Sequence, residues 1–133
     1  MIDFTPDLLT NVTAIDDQHK ELFNRINAVV SMGHKSISKE ETDKTLDMLG
    51  NYIVKHFGDE EALQRKYSYP KYEWHHEQHQ TYIAEFQKLK AEYDKNGPSV
   101  QFTLQLNKSI IGWIVKHIKN VDVELGRFIN EHK

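Results

Sequence analysis

An all-α protein, an antiparallel up-down-up-down four-helix bundle with an N-terminal arm and a short C-terminal helix, is the fold this sequence predicts. Three observations carry that expectation. Apolar residues recur in alternating steps of three and four along extended segments, which is the spacing of one helical face. Turn-forming residues divide the chain into an arm and four such segments. No run of strict apolar–polar alternation, the mark of a half-buried strand, competes with this reading.

Residues 1–14, with Pro6 and scattered Asn and Thr, read as an extended arm. The first helix is predicted from about Asp16 to Met32 and ends before Gly33, a residue suited to a helix C-terminus. Its inward stripe is Ile15, His19, Leu22, Ile26 and Val29. Ser38 with Glu41 three residues later makes a capping-box pattern, opening a second helix that runs to about Lys66. That helix turns Leu46, Leu49, Ile53, His56, Glu60, Leu63 and Tyr67 inward. Pro70, at a first-turn position, opens the third helix, and Asn96-Gly97-Pro98 closes it. Its stripe is Tyr72, His75, His79, Tyr82, Phe86, Leu89 and Tyr93. The fourth helix starts near Ser99 and presents Leu106, Ile110, Trp113 and His117. Short loops make neighbouring helices antiparallel. The bundle then spans about residues 15–131, and the 133-residue chain reads as a single domain, long enough to bury a continuous core.

Composition narrows the function. The chain is 38% hydrophobic and 28% charged, the balance of a soluble globular protein. Its net charge of -3 provides no basic field for nucleic acid or an anionic membrane. The start, MIDFTPDLL, lacks the basic and long apolar stretches of a signal peptide, so a cytoplasmic location is expected. The apolar run around Ile110 to Val115 is far too short to span a bilayer. With no cysteine, disulfides, iron–sulfur clusters, thiolate zinc sites and cysteine nucleophiles are excluded together. Any metal must be held by imidazole and carboxylate, which suits iron, zinc, manganese or copper.

Seven ionisable residues fall at core-facing positions: His19, His56, Glu60, His75, His79, His117 and Asp122. Burying them is costly unless a partner compensates, and the partner common to imidazole and carboxylate is metal. Heights test whether they could meet. His19 lies about 17 residues before the first interhelical turn and His56 about 20 after it; at ~1.5 Å rise per residue, this and the other antiparallel pairs agree to within about one helical turn. A lone histidine on an apolar stripe is most often a hydrogen-bonded core residue, but five in one layer reverse that preference. His56-x-x-x-Glu60 and His75-x-x-x-His79 each place both members within roughly 40° on one helix face. The step from His117 to Asp122 is five residues, which on an unbroken α-helix turns the carboxylate away by roughly 140°. The fourth helix is therefore expected to bend or stop near Lys119 to Val121, helped by Asn120, a poor helix former, with a short last helix running to about Asn130. In the simpler alternative, Asp122 is only the N-cap of that last helix. His34, His76 and His132 fall off the stripes and are expected outside the ligand set.

Rival motifs fail on spacing. His76-Glu77-Gln78-His79 is one residue short of the zinc-protease pattern. A carboxylate-rich di-iron oxidase needs paired Glu-x-x-His motifs, and Glu73-x-x-His76 is the sole match, with its histidine off the core face. Neither a Gly-rich phosphate loop nor a serine nucleophile motif stands out.

The ordered set Asp16-Asp17-Gln18-His19, His56-Phe57-x-x-Glu60, Tyr69-Pro70, His75-x-x-x-His79 and Trp113-x-x-x-His117-Ile118-x-x-x-Asp122 resembles the bacterial hemerythrins over about residues 12–130. The resemblance implies two non-heme iron ions, oxo- or hydroxo-bridged, and reversible O2 binding. By motif, His75, His79 and His117 would hold one iron, His19 and His56 the other, and Glu60 and Asp122 would bridge them. An open position on the two-histidine iron would take O2, in a pocket lined by Leu22, Phe57, Trp113, Ile114 and Ile118. Leu22 and Trp113 are equally readable as plain core. Two other functions stay open: a di-iron peroxidase or nitric-oxide-handling enzyme, and a sensor of O2 or iron. Because the chain ends at Lys133 just after the bundle, a free-standing oxygen carrier or store is expected, with an O2-consuming enzyme as its possible recipient.

Overall fold

The computed structural model describes residues 2–32 and 39–133. Within them the chain forms α1 (Thr13–Met32), α2 (Lys39–Lys66), α3 (Tyr72–Asn96), α4 (Val100–Gln105), α5 (Gly112–His117) and α6 (Val123–Glu131). Leu106–Ile111 and Ile118–Asp122 join the last three as π-helical turns, so α4 to α6 form one continuous rod. Packing runs α1 on α2, α2 on α3 and α3 on the rod, which is the expected antiparallel bundle. The Gly33 terminus, the Ser38 capping box and His34 lie outside the described residues. Among the described residues, no helix is long and apolar enough to cross a membrane.

The core divides at the layer of histidines and carboxylates. On one side Leu22, Ile26, Leu46, Leu49, Ile53, Phe57, Tyr82, Phe86, Ile110, Ile114 and Ile118 form the main apolar cluster. On the other, Val12, Ile15, Tyr69, Leu125 and Ile129 form a smaller one. The polar layer is thus closed above and below by side chains that exclude water.

Five local expectations are corrected. The arm is not simply extended: Pro6–Leu8 make a 3-10 turn, Leu8, Thr10 and Val12 are buried, and Asn27 clasps Ile2 through its side-chain amide and carbonyl. The first helix begins at Thr13, three residues early, because Val12 already offers its carbonyl to Ile15 and Asp16. The Asp16 carboxylate then accepts from the Thr10 amide and hydroxyl at 2.8 Å, and from the Asn11 amide at 3.1 Å. Pro70 does not open α3. Ser68 takes a left-handed conformation (φ 54) that folds Tyr69 back into the core, and the chain needs Pro70 and Lys71 before it can resume a helix at Tyr72.

The remaining two corrections concern the rod. The π turn at Leu106–Ile111 inserts one residue into the helical count, so Ile114 moves to full burial and Trp113 shifts to a half-buried flank. Tyr82 donates its hydroxyl to the Ile110 carbonyl in that turn at 3.0 Å. The predicted break near Lys119 does not occur either. The helix passes through Lys119 to Val121 as a second π turn, and such turns concentrate at functional sites. Gly97, with φ 73, ends α3 as the sequence anticipates, and the fourth helix starts where expected, with Ser99 capping α4 by accepting from the Phe102 amide.

Candidate metal centre

Each helix contributes to the polar layer: α1 His19, α2 His56 and Glu60, α3 His75 and His79, the rod His117 and Asp122. All seven residues are at most 4% exposed. The second π turn accounts for Asp122. Hydrogen bonding between residues five apart brings position 122 beneath position 117, and the Asp122 carboxylate sits 3.1 Å from His117 Nε2. Asp122 makes no capping bond to α6, so the N-cap alternative falls. The donor atoms form two overlapping groups, one of Glu60, His75, His79, His117 and Asp122, the other of His19, His56, Glu60 and Asp122, with atoms in each within 4.8 Å of one another. Both carboxylates belong to both groups. Three histidines lie on one side of them and two on the other.

This donor set fits metal. The Asp122 oxygens stand 2.9 Å from His75 Nε2 and 3.0 Å from His19 Nε2, and the Glu60 oxygens 3.0 Å from His75 Nε2 and 3.2 Å from His79 Nε2. Yet Nε2 of His19, His56 and His79 and all four carboxylate oxygens make no hydrogen bond. Buried polar groups otherwise find partners, since an unmet one costs about 1–3 kcal/mol. Donor atoms that crowd together without hydrogen-bond geometry are aimed at shared points between them. Imidazole nitrogens with carboxylate oxygens suit divalent transition metals.

The outward nitrogens are held separately, by residues that the stripes did not single out. Gln18 Oε1 accepts from His56 Nδ1 at 2.8 Å, and Gln78 Oε1 from His117 Nδ1 at 2.9 Å. Glu61 accepts from His79 Nδ1 at 2.8 Å and from His76 Nδ1 at 2.5 Å, leaving His76 half-exposed outside the layer. These contacts turn Nε2 of His56, His79 and His117 inward, the arrangement that fixes tautomer and ring orientation in metal sites. A signal for them exists in the sequence. Gln18, Glu61 and Gln78 each adjoin a cluster residue on their own helix and hold a histidine of the neighbouring helix.

The charges balance inside the layer. Burial pushes His19 towards neutrality, but Asp122 and Glu60 more than reverse it and raise its pKa to about 9. His75 is raised to about 9 for the same reasons. His79 is also raised, Glu60 and Glu61 outweighing burial. His56 goes the other way: burial lowers it to about 4, and the attraction of Glu60 is too weak to offset that. Burial and the neighbouring Asp122 charge press Glu60 towards protonation, yet His19, His75 and His79 hold it well below the usual carboxylate range. Asp122 is likewise held low by His117, His19 and His75 against its burial. The metal-free layer therefore carries protons that a metal ion would displace.

Leu22, Phe57, Ile114 and Ile118 are buried in the main apolar cluster beside the layer. Phe57 stacks on His79 with centroids 3.8 Å apart and planes at 1°. Trp113 stacks on His117 at 4.5 Å and on Tyr82 at 4.4 Å, so it covers the outer flank of the layer.

Fold and site together define a helical bundle that binds cations through histidine and carboxylate. The chain belongs to the hemerythrin family: the family profile described as "Hemerythrin HHE cation binding domain" matches residues 10–129. It is 29% identical over 120 residues to the bacteriohemerythrin of Methylococcus capsulatus, covering 88% of this chain and 87% of that protein. It is also 29% identical over 117 residues to the hemerythrin of Phascolopsis gouldii, covering 88% and 83%. A crystal structure of wild-type hemerythrin superposes with a TM-score of 0.85 at 27% identity, covering 97% of this chain and 98% of the other.

Proposed function

We propose that this protein binds O2 reversibly at a pair of non-heme iron ions, as a carrier, store or delivery protein rather than an enzyme. One observation carries the reading: seven buried side chains point inward-facing donor atoms, most of them without a hydrogen bond, at two overlapping centres in one layer. His75, His79 and His117 would hold one iron, His19 and His56 the other, and Glu60 and Asp122 would join them. Iron so held would supply the reversible binding of O2, and the two-histidine group has one protein donor fewer than the other.

The protein's own residues tune that chemistry. Neutral imidazoles add no charge, while two carboxylates offset part of that of two divalent ions. Gln18, Glu61 and Gln78 fix the imidazole planes of His56, His79 and His117, so those three donors are in position before iron arrives. Leu22, Phe57, Ile114 and Ile118 wall the layer and keep water from it, which slows oxidation of the iron to the ferric state. Trp113, stacked on His117, braces that ring from the flank.

The test is anaerobic loading with ferrous iron, followed by admission and removal of air, with the visible spectrum and the metal content followed together. Two irons per chain and an oxygenated spectrum that reverses on removing air are expected. Binding of one zinc with no colour, or steady consumption of O2, would overturn the proposal.

A further inference from the structure

An open groove of about 340 Å³ runs between α1 and α2, lined by Ala14, Ile15, Gln18, Asp59, Glu60 and Leu63, with Ala62 and Lys66 at its edge. It reaches the layer from the side of the two-histidine group, where Glu60 is 1% exposed and has both carboxylate oxygens without a hydrogen bond. We infer that this groove is the route by which a hydrated divalent cation reaches the centre. The inference rests on the metal-binding reading above.

Size and donors both fit. A water molecule occupies roughly 30 Å³ of liquid, so an ion with six waters needs about 180 Å³, and the groove holds it with room for exchange. Along the groove, oxygen donors succeed one another from solvent to centre. Asp59, exposed at the mouth, takes Gln18 Nε2 and Lys55 Nζ on its Oδ2, each at 2.8 Å, and turns its second oxygen, Oδ1, to an ion; Gln18 Oε1 holds His56; Glu60 lies at the base. Asp59 at the mouth and Glu60 at the base each give an incoming ion an oxygen to exchange for a water, so it is not stripped of ligands in an apolar setting. On the opposite side of the layer, aromatic rings cover the histidines. There Phe57 stacks on His79, Trp113 on His117 and Tyr82 on Trp113, and the grooves around Phe86 and around Glu92 are lined by none of the cluster residues.

The groove is open because two exposed positions flanking it are alanine, Ala14 on α1 and Ala62 on α2. Neither touches the core, so both can be enlarged without disturbing the ligands. The experiment compares metal-free wild type, the double variant Ala14→Leu/Ala62→Phe, the single variant Ala62→Phe, and a control of equal bulk, Ala84→Phe, at an exposed site on α3. Ferrous iron is added anaerobically and the unbound fraction is read at intervals with a colour-forming chelator. Release of iron from loaded protein to the same chelator is timed in parallel. A route changes both rates and leaves the equilibrium alone. Uptake and release should therefore slow severalfold together in the filled variants, with final iron content unchanged, while Ala84→Phe matches wild type. Should the double variant not fold, the single variant carries the same expectation. Uptake at the wild-type rate with the groove filled overturns the route. Loss of iron content without change of rate overturns it too, because that is damage to the site. A wild type that takes up no iron is a different failure, since it removes the metal-binding reading itself and the route with it.

Discussion

Stripping the metal should leave a protein whose stability falls as pH rises from neutrality, the reverse of what carboxylate pairing alone produces. His19 and His75 titrate near 6.5 in an unfolded chain and at about 9 in the folded, metal-free one. A group with a raised folded pKa contributes stability that is complete below 6.5 and is lost as pH climbs through 9, because the unfolded chain releases its proton first. The difference between 6.5 and about 9 corresponds to about 3 kcal/mol per imidazolium. Both lean on the same two carboxylates, Glu60 and Asp122, so the contributions overlap and a total fall of about 3 kcal/mol is expected rather than twice that. On the acid side the slope has the opposite sign. His56, lowered to about 4, opposes folding increasingly as pH drops below 6.5, and Glu60 and Asp122 lose their contribution as they protonate. The optimum of the metal-free protein should thus sit near pH 6.5. Urea unfolding after chelation, at intervals from pH 5 to 9.5, measures it; with a slope of ~2 kcal/mol per molar, the midpoint should fall by roughly 1.5 M across the alkaline limb. The iron-loaded protein should lack that limb, since imidazoles that donate to metal carry no proton to lose. A flat or rising alkaline limb in the metal-free protein would refute the assignment of charge within the layer.

Three substitutions probe the site separately. His75→Ala should lower iron content below two per chain, whereas His76→Ala, at a half-exposed residue whose only contact with the layer is through Glu61, should retain both; metal analysis with the reverse outcome would place the wrong face of α3 inward. Leu22→Ala empties a fully buried position beside His19 and should cost about 2–5 kcal/mol in denaturant unfolding, while speeding oxidation of the oxygenated protein. An unchanged oxidation rate would leave Leu22 as core alone. Glu61→Ala removes the carboxylate that orients His79 and should weaken iron binding by about 10–100-fold in chelator competition, with Glu61→Gln recovering part of it.

Much of this was legible in the chain because it depends on periodicity. Stripe position and common height bring His19, His56, Glu60, His75, His79 and His117 to one layer from spacing alone, and the loop punctuation fixes the antiparallel order. What periodicity at 3.6 residues cannot express is a change of period. Both π turns are invisible for that reason: a constant period puts Trp113 on the inward stripe in place of Ile114 and requires a broken helix for Asp122. The early start at Thr13 was hidden differently. It depends on Thr10 and Asn11 bonding to Asp16, and on Gly126 of α6, whose missing side chain lets the Thr10 carbonyl approach within 2.2 Å of where a Cβ would stand. Contacts between residues more than a hundred positions apart leave no mark on local pattern. Gln18, Glu61 and Gln78 lie between these cases, since each is marked by its neighbour but holds a ring on another helix.

The π turn between His117 and Asp122 uncouples chain length from direction. In an ordinary helix the loss of one residue rotates everything beyond it by roughly 100°, which would carry Asp122 out of the layer and unseat α6. Here the turn already holds one residue more than an α-helix needs to bring the two side chains to the same face. Removing Lys119 or Asn120 would convert the turn to the common form and leave both ends facing as they do now. The five-residue gap is therefore not a ruler that measures the site. A chain with a gap of four in an unbroken α-helix would bring the same two side chains to one face.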